Sequence, residues 1–233
     1  MAVVWNITRA ADDADAMARE LEAQGVPARS LPCIAREHLA WPAVPPGALL
    51  FLTSAAVLPL PDDARENPIA ALGRVAAALR RAGREVLVDS DGGVVSLASR
   101  LADLFTATAL NERVRVLYPT SDLAHEQLEH TEALHRLARF ADVCVHAVYR
   151  VVPPSQLERA LLGLRPESGL VFFSPSAVKH FFAAAAHLPP PRAVVTHGAS
   201  TLRAWSEARP HGWPDAVAHA RELPLADTLR RFS

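Results

Sequence analysis

Residues 49–57, Leu-Leu-Phe-Leu-Thr-Ser-Ala-Ala-Val, align without a gap to residues 170–178, Leu-Val-Phe-Phe-Ser-Pro-Ser-Ala-Val. Each copy is an apolar run of strand length that ends in hydroxyl side chains where a helix can begin. In open parallel sheets that junction is where ligands bind. A chain carrying two such junctions reads as internally duplicated, with two lobes facing one ligand.

The length allows this. With 233 residues, the chain divides naturally into two domains of ~110 residues each. Half of the residues are apolar and 21% are charged, and no window approaches the ~18 uninterrupted apolar residues of a membrane span. We therefore expect a soluble protein with no membrane partner. The opening Met1-Ala2-Val3-Val4-Trp5-Asn6-Ile7 has no basic leader or cleavage site and reads as a first strand, so the default location is cytoplasmic. Cys33 and Cys144 are too few and too far apart for a thiol motif and are expected as reduced, core or near-core residues. A formal charge of −1 excludes general nucleic-acid binding, which needs a sustained basic excess.

Strand and helix signals alternate along the whole chain. Val3 to Thr8 reads as a strand, followed by a helix that starts at Asp12-Asp13, carries Ala14, Met17 and Leu21, and stops at Gly25. Arg29 to Ile34 reads as another strand, and the proline-rich stretch from Trp41 to Gly47 as a passage between lobes. Leu49–Leu52, Glu85–Val88, Val114–Tyr118 and Val143–Val152 follow as strands. Helices are expected through Val75 and Leu79, through Leu97, Leu101 and Leu104, and from about Asp122 to Phe140. The remainder gives a helix at Leu157 and Leu161, strand Leu170–Phe173, a helix with Val178, Phe181 and Phe182, strand Arg192–Val195, and a helix with Leu202 and Trp205.

This alternation predicts an α/β protein of two flavodoxin-like lobes, each a parallel sheet with helices on both faces and right-handed crossovers. The first lobe is discontinuous, residues 1–36 plus 153–233. The second, residues 37–152, is inserted into it, and two linker strands join them.

The ordered segments resemble the uroporphyrinogen-III synthase family over nearly the whole chain. The resemblance rests on Ile7-Thr8-Arg9, Phe51-Leu52-Thr53-Ser54 with Ala56-Val57, Ala70-Ala71-Leu72-Gly73, Val116-Leu117-Tyr118-Pro119, Val148-Tyr149-Arg150, Phe172-Phe173-Ser174-Pro175-Ser176 and His197-Gly198-Ala199-Ser200-Thr201. It implies a cofactor-free, monomeric enzyme. Such an enzyme closes the linear tetrapyrrole hydroxymethylbilane into uroporphyrinogen III, loses water and inverts the last pyrrole ring by way of an azafulvene and a spiro intermediate. It also implies that the substrate lies in a cleft between the two lobes.

That substrate is ringed by acetate and propionate groups. Hydroxyls and backbone N–H groups at helix starts can receive them without a basic protein. Thr53, Ser54, Ser174 and Ser176 sit at such starts, and Ser200 and Thr201 follow Gly198, which allows close backbone approach. Side chains of this type at helix starts commonly serve only as N-caps. Arg9, Arg150 and the single lysine, Lys179, adjoin the junctions and are candidates for carboxylate pairing, against the plainer role of solvated surface charge. His197 is a strand-end residue or a further carboxylate ligand. Tyr149, at the lobe crossing, is the candidate catalytic group, a phenol donating to the departing hydroxyl; its plainer role is hinge packing.

His125, His130 and His135 step by five around a helix, do not share a face, and give no metal site. No Walker motif, G-x-G-x-x-G run or G-x-S-x-G elbow is present. The chain departs from the family pattern after Thr53-Ser54, where Pro59 and Pro61 shorten the helix, at Ala10, where proline is common, and at Arg74-Val75-Ala76, which lacks hydroxyls. Two readings follow: an active synthase, or a non-catalytic relative that binds a tetrapyrrole or a regulatory partner.

Overall fold

The computed structural model describes residues 3–108, 113–123, 128–185, 188–219 and 223–232. In chain order the strands are β1 (Trp5–Ile7), β2 (Ala28–Ser30), β3 (Ala35–His38), β4 (Leu49–Leu52), β5 (Ile69–Leu72), β6 (Val88–Ser90), β7 (Val114–Ser121), β8 (Ala141–Val152), β9 (Gly169–Phe172), β10 (Ala193–His197) and β11 (Ala216–His219). The helices are α1 (Ala11–Ala23), α2 (Gly73–Arg81), α3 (Gly93–Ala107), α4 (Leu128–Leu137), α5 (Leu157–Leu161), α6 (Pro175–Ala184), α7 (Ala199–Ala208) and α8 (Leu225–Arg230). By contact density the chain divides into one unit of residues 1–36 with 152–233 and another of residues 37–151.

The first unit is a five-stranded sheet of order β11-β10-β9-β1-β2, parallel at every pairing. Strand alternation sends Leu170, Phe172 and Val194 to one face, against α5, α6 and the Trp205 of α7. Ile7, Val171 and Val195 go to the other face, against α1 and α8. The packing of α1 follows from its sequence: Ala14, Ala18 and Leu21 are buried at helical spacing, and Asp12 and Asp13 complement the dipole in its first turn. Asn6, fully buried on β1, donates from Nδ2 to the Gly169 carbonyl at 2.8 Å and accepts from Arg29 Nε at 2.5 Å. One polar side chain thereby ties β1, β2 and β9 together.

The second unit is a six-stranded sheet of order β3-β8-β7-β4-β5-β6. Leu50, Leu52, Ile69 and Leu117 face α2, while Leu49, Phe51, Val116 and Tyr118 face α3 and α4. Strands buried on both faces are continuous apolar runs, as Leu49–Leu52 shows. The linker strands β3 and β8 are neighbours in this sheet, and the Leu39 amide donates to the Val148 carbonyl at 2.8 Å.

The two sheets have the same spatial plan. Reading β11-β10-β9-β1-β2 beside β6-β5-β4-β7-β8, each strand has a counterpart if β9 opens the first unit and β1 and β2 follow its end. The first unit is thus a circular permutation of the second, in flavodoxin order by its own numbering, and β9 and β4 are the equivalent central strands. The register corrects the gapless alignment by one residue. β4 ends at Leu52 and β9 at Phe172, and Ser54 and Ser174 are both N-caps. Leu50 pairs with Ile69 and Leu170 with Val194, which brings Gly73 level with Gly198.

Other expectations change in detail. β2 stops at Ser30 and β3 begins at Ala35, so Arg29–Ile34 is not one strand. Trp41–Gly47 belongs to the second unit. Val44 lies in its core, and buried Asn67 donates to the carbonyls of Pro45 at 2.9 Å and Ala48 at 2.7 Å. The helix expected after Thr53-Ser54 is a single 3-10 turn, Ala55–Val57. Cys33 is buried but Cys144 is exposed, because outward-facing alternate residues of β8 carry it away from the core. His125 lies outside the described residues. β11 and α8 complete the first unit beyond the last expected helix.

Candidate active site

In the first unit the candidate residues gather at one edge. β1 leads into Arg9, β9 into Phe173 and Ser174, and β10 into Gly198, all at the carboxyl ends of adjacent parallel strands. β1 and β9 flank the point where the strand order reverses, the position where open α/β sheets hold ligands. Their side chains form a column across the edge. The Arg9 guanidinium carbon lies 5.1 Å from the Phe173 ring centroid. Phe173 stands 5.7 Å from His197, and His197 5.5 Å from His219. His219 Nδ1 and Thr228 Oγ1 are 3.0 Å apart.

Two helices start at this edge and are capped differently. Ser174 Oγ accepts the Ala177 N–H at 3.2 Å, so one lone pair is committed to the cap while its proton can still be donated. Pro175 at N1 has no N–H to offer, and the amide and hydroxyl of Ser176 take no partner among the described residues. α7 begins on Gly198 at φ 91°, ψ 156°, a conformation that only glycine adopts readily, and no side chain caps it. Its first turn therefore presents backbone N–H groups beside exposed Ser200, while Thr201 is buried at 1% exposure. Lys179 is exposed on α6.

Arg9 is already engaged. Its Nη2 lies 3.6 Å from Asp13 Oδ2, which also receives Arg36 Nη2 at 2.7 Å. In the second unit Arg150 pairs with Glu37 at 2.7 Å, both about half exposed, an arrangement that accounts for its charge without a ligand.

At the carboxyl edge of the second sheet, β4 and β7 flank the equivalent reversal of strand order. Thr53 Oγ1 lies 3.2 Å from the Tyr118 hydroxyl, and Ser54 Oγ accepts the Ala56 N–H at 3.2 Å. The Tyr118 hydroxyl also hydrogen-bonds His130 Nδ1, and the two rings stack 12° from parallel. Tyr118 is fully buried, and desolvation pushes its phenol up to about 12, opposed by the neighbouring Thr53 and Thr120 hydroxyls and supported by the nearby Tyr149. In the sequence Tyr118 enters only as part of the family resemblance and His130 only as a rejected metal ligand; neither is a candidate site residue there. A tyrosine at the end of a fully buried strand, where phenylalanine would pack as well, was the available signal.

Tyr149 owes its direction to a bulge. The register of β7 against β8 runs Thr120 to Ala147 and then Ser121 to Tyr149, so one extra β8 residue is inserted. By plain alternation Tyr149 would join Val143 and Val145, which pack with α3 and α4. The insertion turns it to the face of Leu117 instead. The residue is 8% exposed, and its hydroxyl takes no hydrogen bond from the described residues.

Among the described residues no three histidine, cysteine or acidic side chains converge as metal ligands, and no helix is long and apolar enough to cross a membrane. No curated protein sequence matches the chain. Its structure is similar to that of uroporphyrinogen-III synthetase from Helicobacter pylori, with a TM-score of 0.63 at 17% identity, covering 99% of this chain and 98% of that one. It is also similar to a mutant uroporphyrinogen III synthase from the extremely thermophilic bacterium Thermus thermophilus, with a TM-score of 0.50 at 22% identity, covering 99% and 97%. At these identities the likeness shows the fold. The profile of the family described as Uroporphyrinogen-III synthase HemD matches residues 15–222, and the chain belongs to that family.

Proposed function

We propose that this chain is an active uroporphyrinogen-III synthase, a cytoplasmic, monomeric, cyclising lyase acting on hydroxymethylbilane. The observation that carries the reading is the pair of helix starts on neighbouring strands β9 and β10. Ser174 and Ser176 stand at one, and Gly198, Ser200 and Thr201 at the other. Outward backbone N–H groups at the positive ends of two helices suit a substrate whose periphery is carboxylate. They do so in a protein of formal charge −1, where a generally basic surface is absent.

Arg9 adds charge beside these amides and is held in place by Asp13 and Phe173. Lys179 adds an exposed cation on α6. In the second unit, Thr53 and Ser54 offer hydroxyls at the equivalent edge. Tyr149 donates to the departing hydroxyl of the terminal hydroxymethyl group. The carbon–oxygen bond breaks with its electron pair going to oxygen, the pyrrole nitrogen supplies the compensating electrons to give an azafulvene, and the pyrrolic proton is lost as water forms. Ring closure through a spiro intermediate then follows, without oxidation or reduction and so without need of a redox cofactor. Because the pyrrole assists departure, the larger demand on the protein is to hold the chain in a shape that closes with inversion.

The test is to give the purified chain freshly made hydroxymethylbilane and to separate type I and type III isomers after oxidation. Type III product is expected. Type I product alone, at the spontaneous rate, would overturn the reading in favour of a non-catalytic relative.

A further inference from the structure

We propose that Tyr118 is a positioning residue for Thr53, its buried phenol fixing the direction in which the Thr53 hydroxyl points at the carboxyl edge of the second sheet. The inference rests on the synthase reading, since it gives Thr53 a substrate carboxylate to meet.

The side chain itself motivates it. Tyr118 stands edge-on to Phe51 with ring centroids 5.1 Å apart at 90°, and a phenylalanine would make the same contact. What tyrosine adds is a hydroxyl in a fully buried position, where a phenol oxygen without partners costs stability. Here it has two: Thr53 Oγ1 at 3.2 Å and His130 Nδ1. A phenol carries one proton, so of these two partners only one receives it. When His130 donates to the phenol oxygen, the phenol proton goes to Thr53. The Thr53 oxygen is then occupied on that side, and its own proton is left to be donated at the edge. An anionic acceptor there favours that polarity of the chain. The raised pKa of Tyr118 keeps the phenol protonated across the neutral range, as the arrangement requires. Being fully buried, Tyr118 does not itself touch a ligand, so it acts through Thr53.

The experiment is a double-mutant cycle in the full chain. Tyr118→Phe, Thr53→Ala and the pair are compared for KM and kcat with hydroxymethylbilane, with folding monitored by circular dichroism. Tyr118→Phe is expected to raise KM by about three- to tenfold with kcat nearly unchanged, as for loss of uniform binding. That effect should disappear in the Thr53→Ala background. His130→Ala, which releases the phenol without touching the strand, should raise KM in the same Thr53-dependent way and serves if Tyr118→Phe does not fold. If the wild type makes type III product but either variant raises KM equally with and without the Thr53 hydroxyl, the positioning role is overturned. A wild type that yields only type I product instead overturns the synthase reading beneath it.

Discussion

A Cβ on Gly169 would stand 2.4 Å from Cε3 and 2.5 Å from Cζ3 of Trp5. The two residues are register partners on β9 and β1, and Trp5 is fully buried, so the indole lies directly over the backbone of the neighbouring strand. Gly169→Ala forces the ring or the strand to move and is expected to destabilise the protein by about 1–3 kcal/mol. The measurement is the denaturant midpoint at constant slope; an unchanged midpoint would show that the indole has another place to go.

Tyr149→Phe is expected to leave the denaturant midpoint unchanged, because the hydroxyl takes no hydrogen bond from the described residues. The rate of ring closure should fall by about tenfold, below the ~10²–10⁴ of a general acid facing a poor leaving group, since the pyrrole nitrogen assists departure. Single-turnover rates with hydroxymethylbilane decide it, and an unchanged rate returns Tyr149 to hinge packing.

Tyr118 sets a limit on alkaline stability. In the folded chain its phenol holds its proton to about 12, against an ordinary value of 10.0 in the unfolded chain. Between these values the unfolded state binds fewer protons, so stability is intact below pH ~10 and falls as pH rises toward ~12, by about 2–3 kcal/mol in all. Tyrosinate absorbance of the folded protein should show the Tyr118 phenol still protonated at pH ~11. Tyr118→Phe should abolish that late component and flatten the alkaline loss of stability.

The two cysteines should differ sharply toward a thiol reagent. Cys33 is fully buried, its Sγ lies 3.4 Å from the Leu31 carbonyl, and burial pushes its thiol up, whereas Cys144 is exposed. Native protein is expected to take up one equivalent quickly, and Cys144→Ser to take up almost none until it is unfolded. Equal rates at both positions would mean that the Cys33 pocket opens readily.

What the sequence made legible was whatever an uninterrupted local signal carries. Leu49–Leu52 and Gly169–Phe172 are buried on every residue, so their apolar runs mark central parallel strands. Ala216–His219 is an edge strand of mixed exposure after a proline-rich turn, and nothing local distinguishes it from a loop. The Tyr149 bulge depends on pairing with β7, and the gapless alignment missed its one-residue shift because only the caps at Ser54 and Ser174 and the cross-strand register reveal it. The same holds for Tyr118 and His130, whose meeting needs α4 to be packed on the sheet. The hydroxyl positions of the candidate site were readable, but what each hydroxyl is bonded to was not.

The permuted first sheet has a consequence for how the protein is made. Asn6 reaches the Gly169 carbonyl across 163 positions, so β1 and β2 have no central strand to join until nearly three quarters of the chain has left the ribosome. The second unit, residues 37–151, is contiguous and has its own core by then. Folding can therefore run from the inside out even though synthesis does not: the contiguous inserted unit can complete its core while β1 and β2 wait, strand edges open, for β9.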